Sequence, residues 1–86
     1  MGILSRFTRT KYDDDQIVYR IQVAINEDPL VPDTGALSVV SDHGLVTIAG
    51  VVHKEPEKDH IEGVARTTLR DSGLKFERIV NEIEVR

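Results

Sequence analysis

The chain predicts a single α+β domain in the order helix–strand–strand–helix–strand (α-β-β-α-β), with a three-stranded mixed sheet and both helices on one of its faces. Three observations carry this: two apolar stripes of helical period, a pair of alternating runs joined through a glycine, and a third alternating run near the C-terminus. Eighty-six residues are enough for one domain and no more.

The first stripe is Ile17, Val18, Ile21, Ala24 and Ile25, spaced for one face of a helix. Asp13, Asp14 and Asp15 stand before it, where carboxylates cap free N–H groups and oppose the positive end of the helix dipole. The helix is expected to end near Glu27 or Asp28, because the residue before Pro29 is pushed out of helical geometry. Residues 29–35 then form a loop.

A hairpin follows. Val39 must face the same way as Ile48 if the apolar residues are to sort onto one side. A three-residue loop at 42–44 would mix the faces. A two-residue turn at His43-Gly44 pairs Val39 with Ile48 and Val40 with Thr47, and Gly44 suits the positive φ such a turn requires. Leu37, Val39, Val46 and Ile48 are then the inward set, with Gly50 in the same row, where a missing side chain lets a helix come close.

Pro56 reads as the first residue of the second helix, a position with no use for its missing N–H. Its stripe is Ile61, Val64, Ala65, Thr68 and Leu69, with Glu57, Lys58, Asp59, Glu62, Arg66 and Arg70 expected in water, and Gly73 stopping it. Ile79, Asn81, Ile83 and Val85 alternate with Val80, Glu82 and Glu84 as the third strand.

Composition narrows the function. With 40% hydrophobic and 30% charged residues this is an ordinary globular chain, and without cysteine it has neither disulfides nor thiolate metal sites. Residues 1–12 carry Arg6, Arg9 and Lys11 and no acid, a charge of +3, and are expected to be a flexible basic tail ahead of a domain at 13–86. The remaining eight Lys/Arg stand against fifteen Asp/Glu, so that domain carries −7 and lacks the basic footprint nucleic acid demands. Neither a secretory leader nor an apolar run long enough to span a bilayer appears, so a chain starting at Met1 is expected in the cytoplasm, at most peripheral to a membrane.

Three stretches resemble the BON (bacterial osmotic-stress and nodulation) domain family: Asp15 to Asp28-Pro29, Leu37 to Val52 with its Val46-Thr47-Ile48-Ala49-Gly50 strand, and Ile79-Val80-Asn81-Glu82-Ile83-Glu84-Val85. Together they cover about residues 13–86. The family usually carries Gly-Val four residues ahead of its closing Val-x-Asn; here Lys75 and Phe76 stand there, and the glycine is Gly73. The resemblance implies a non-enzymatic domain that attaches to phospholipid membranes or to other macromolecules, in osmotic-stress, transport or envelope settings. Some cytoplasmic members bind potassium.

The residues themselves suggest two contact regions. Val40, Thr47, Ala49, Val51 and Val80 form the sheet face turned away from the helices, a candidate surface for a protein partner or a second copy, as is an open sheet edge. If the flexible tail became helical, Ile3, Leu4 and Phe7 would line one side with Arg6, Arg9 and Lys11 available to an anionic phospholipid surface, although the acidic body opposes it. No catalytic set, cofactor loop or metal motif is evident. His43, His53 and His60 read as surface residues, the combination of His53 with Glu57 or His60 lacking the spacing of a helical zinc site, and Asp13–Asp15 lacking that of a calcium loop. A binding or adaptor domain is the leading expectation; a sensor for a small ligand or a cation such as potassium is the alternative.

Overall fold

The computed structural model describes residues 11–31 and 37–86. Helix α1 (Asp14–Glu27) leads to strands β1 (Ser38–Asp42) and β2 (Leu45–Val52), then helix α2 (Glu55–Ser72) and strand β3 (Arg78–Val85). The α-β-β-α-β order and the mixed sheet are those expected: β2 lies in the centre, antiparallel to β1 and parallel to β3.

Hairpin parity decides the core. Val39 pairs with Ile48 and Val40 with Thr47, the register of a two-residue turn. His43 and Gly44 take φ of 51° and 84°, the double positive φ of a type I′ turn. Val39, Val46, Ile48, Val52 and Ile83 are thereby all sent to one side, where they are buried with Ile17, Ile21 and Ile25 of α1 and Ile61, Ala65 and Leu69 of α2. Each fully buried isoleucine contributes about 2–3 kcal/mol by leaving water. Val31, in the loop after α1, joins the same cluster. Gly50 continues the inward row at a φ of 148°.

The helix ends are closed by side chains and backbone. Asp13 caps α1 by accepting the Gln16 N–H at 3.3 Å, and Asp28 closes it at the residue before proline. Helix α2 begins at Glu55, one residue earlier than Pro56 implied; proline occupies the second position, where its missing N–H is equally harmless. Lys54 at the cap has no acceptor to offer, so Glu57 reaches back and accepts the N–H groups of His53 at 3.1 Å and Lys54 at 3.2 Å. Glu57 was expected to face water; it is half-buried in this role. At the far end Gly73 is left-handed, its N–H on Arg70 O and that of Leu74 on Leu69 O, a Schellman closure.

Of the basic tail only Lys11 and Tyr12 fall among the described residues. Lys11 sets its ammonium 5.5 Å from the centre of the Tyr12 ring, and that ring lies against Gly44. Tyr12 thus belongs with the folded body rather than with the tail. The amphipathic reading of Ile3, Leu4, Arg6, Phe7 and Arg9 lies outside the described residues.

Candidate functional site

Alternation along each strand builds a second surface opposite the core. Val40, Thr47 and Val80 share one row across the three strands. On the turn side of that row, Leu45 stands between Asp42 and Arg78; on the other side lie Ala49 between Ser38 and Glu82, and Val51 beside Glu84. All five residues expected on this face are there. Val40 is 57% exposed and Val51 36%, while Thr47, Ala49 and Val80 are partly shielded by their neighbours. Leu45, 39% exposed, is an apolar member that the alternating pattern could have supplied, since it precedes the inward Val46. Arg78 begins β3 on the same face, with Asp42, Glu82 and Glu84 around the periphery, and at the far end Arg86 pairs with Glu84 at 2.7 Å.

The edge of β3 is a different matter. Arg86 donates its N–H to Val52 O at 2.8 Å, so even-numbered N–H groups of this strand point to β2 and odd-numbered ones point outward. The outward N–H of Ile83 is taken by Asn81 Oδ1 at 3.1 Å. Asn81 Nδ2 then donates to Lys58 O and Glu62 Oε1 on α2, each at 3.1 Å. One side chain thus blocks a strand-pairing position and ties the strand to the helix. Glu62, expected in water, is half-buried by that contact, and the Asn81 amide, followed by Arg66, holds its carboxyl below the ordinary value.

At the other end of β1, Ser41, His43 and two aspartates meet. Ser41 Oγ donates to Asp14 Oδ1 at 2.6 Å, whereas the His43 ring contacts Asp42 at 2.6 Å. No imidazole stands on the serine. Asp14 is also held below its ordinary pKa, first by the Ser41 hydroxyl and then by the Gly44 N–H, so it is a poor base at neutral pH. The arrangement braces the turn and lacks the relay that nucleophilic catalysis requires.

Between the exposed sides of α1 and α2 runs an open groove of about 1020 Å³, lined by Ala24, Asp28, Pro29, Pro56, His60 and Gly63 among others. Two of its polar side chains, Asp28 and His60, serve the fold. Asp28 accepts the Leu30 N–H at 2.8 Å through one oxygen and meets His60 Nε2 at 2.8 Å through the other, and these contacts, in that order, lower its pKa. His53 gives its N–H to Glu57 while His60 is held by Asp28, and among the described residues no three His, Asp or Glu side chains gather to hold a metal. A Cβ on Gly63 would meet nothing within 4 Å. Gly63→Ala is therefore expected to stabilise the domain by about 0.5–1 kcal/mol, raising its melting temperature by about 3–6 °C in a thermal melt.

No helix among the described residues is long and apolar enough to cross a membrane. Compared with protein-family models and with curated proteins, the chain matches none.

Proposed function

We propose that the domain is a non-catalytic binding module that holds a protein partner against the outer face of its sheet. The observation that carries this is the row of Val40, Thr47 and Val80, extended by Leu45 and Val51, on the side of the sheet opposite both helices. Three large apolar side chains there are more than a third exposed, and the charges stand around them rather than among them. Apolar centres with polar rims are the anatomy of protein contacts.

A protein suits this face better than a phospholipid surface. Asp42, Glu82 and Glu84 outnumber Arg78 and Arg86 at its periphery, and residues 13–86 carry −7, so an anionic bilayer is repelled. The BON-like pattern of the sequence accords with a domain that attaches to other macromolecules.

Photo-cross-linking in the source cell tests the reading. A benzoylphenylalanine replacing Val40 or Val51 is expected to give a discrete adduct, and the same residue at exposed Arg66 or Arg70 on α2 is expected to give none. Equal labelling from both surfaces, or no adduct from the sheet, would remove the proposal.

A further inference from the structure

We infer that the partner on the sheet face is a second copy of this chain, docked face to face with the two β2 strands parallel. The inference rests on the sheet-face reading above and adds a particular geometry.

A two-fold axis between two such sheets, running along β2, keeps every row in place and exchanges β1 with β3. Arg78 then faces Asp42 of the second copy, and Val80 faces Val40. Glu82 faces Ser38, and Glu84 lies beyond the start of β1. Along the centre, Leu45 meets Leu45 and Val51 meets Val51, with Thr47 and Ala49 between them. Small residues at that centre suit the ~10 Å spacing of stacked sheets. No described row sets like charges opposite each other, and Arg78 meets an acid twice per dimer.

The alternative two-fold, across the strands, is worse matched. Centred on the Val40 row, it sets Arg78 against Glu82 but leaves Val51 beyond the overlap. Centred one half-row further, it sets Leu45 against Val51 and Arg78 against Glu84, but puts Val80 against Glu82 and Val40 against Ser38. Only the strand-parallel arrangement covers Leu45 and Val51 together, satisfies Arg78 and sets Val40 and Val80 against apolar partners. Edge pairing through β3 is opposed by Asn81, which already occupies the Ile83 N–H.

Size sets the strength. Three strands about 4.8 Å apart and some seven residues long present roughly 300 Å² in plan. A standard interface uses about 800 Å² per partner. The dimer is therefore weak, with a dissociation constant on the order of 100 µM, and visible only in concentrated solution.

Sedimentation equilibrium of the full chain from about 10 µM to about 1 mM tests this. The wild type is expected to shift from monomer to dimer across that range. Arg78→Asp and Asp42→Arg each set like charges opposite one another twice and are expected to weaken self-association about tenfold. An equimolar mixture of the two variants restores both attractions in the heterodimer and is expected to return to within about threefold of wild type. Val40→Asp with Val51→Asp is expected to stay monomeric while its circular dichroism remains that of the folded chain.

A wild type that is monomeric at the highest concentration overturns the inference, as does a dimer indifferent to Val40→Asp with Val51→Asp. A mixture no tighter than either variant alone overturns the strand-parallel geometry. Where the chain stays monomeric but the Val40 and Val51 cross-linkers still capture a discrete protein of another mass, this inference fails and the binding reading stands. Where neither dimer nor face adduct forms, both fail.

Discussion

Asp14→Ala is expected to destabilise the domain by about 2 kcal/mol and lower its melting temperature by about 10–15 °C. Asp14 sits in the first turn of α1, yet its carboxylate spends itself on residues 27–30 positions away. Oδ1 accepts the Ser41 hydroxyl at 2.6 Å and the Gly44 N–H at 3.0 Å, while Oδ2 accepts the His43 N–H at 2.8 Å. A charged acceptor strengthens each bond, but partial exposure allows water to replace part of what is lost, which holds the figure well below three full charge-assisted bonds. Asp14→Asn should cost nearly as much, since both oxygens take donors and an amide must turn its own N–H groups toward one of them.

The pH dependence follows from the same contacts. Folding lowers the Asp14 pKa below 3.8, so its contribution is complete above that value and is lost as the pH falls through the lower folded pKa. Asp28 and Glu62 are lowered as well and add to the same acid limb. The gap in melting temperature between wild type and Asp14→Asn should be constant from neutral pH down to about pH 5 and narrow below it. A gap that widens in acid would show that the carboxylate is not the stabilising form.

Local pattern made most of the scaffold legible. Every residue of the two helical stripes is buried or half-buried, and the parity of Val39 against Ile48 selected the observed turn. Apart from the Glu57 cap on its own helix, the structure's main additions span long stretches of chain: Asp14 to the turn, Asp28 to His60, Asn81 to Lys58 and Glu62. Each of these polar residues also has an ordinary local reading as a cap, a helix end or a strand position. No period distinguishes an aspartate that caps its own helix, as Asp13 does, from its neighbour that reaches across to a hairpin. The outer face lies between these cases. Its members follow from alternation, and Leu45 and Arg78 follow once that alternation is carried to the strand ends. What covers the face depends on how its rows align across strands, and β3 is aligned with β2 by a helical crossover rather than by a turn that can be counted.

Gly44→Ala should be the costlier change at the turn, at about 2–4 kcal/mol, for two separable reasons. A φ of 84° lies in the left-handed region, which costs an L-residue about 1–2 kcal/mol. The added Cβ would also stand 2.6 Å from Tyr12 Cδ1 and 2.7 Å from Cε1, so the ring must move. Such overpacking costs about 1–3 kcal/mol. A double-mutant cycle with Tyr12→Ala separates the two: in that background only the backbone cost remains, and denaturant melts should give a coupling of about 1–2 kcal/mol. Additive effects would mean that the ring yields freely and that backbone strain is the whole penalty. The damage should also travel beyond the turn. Gly44 O accepts the N–H of Glu77 at 2.8 Å and of Arg78 at 3.4 Å, which leads the chain into β3. Shifting Gly44 therefore shifts Arg78, the cation on which the proposed face-to-face pairing depends. Gly44→Ala should weaken self-association even in the fraction that remains folded, and Gly63→Ala, on the opposite side of the domain, should leave it unchanged.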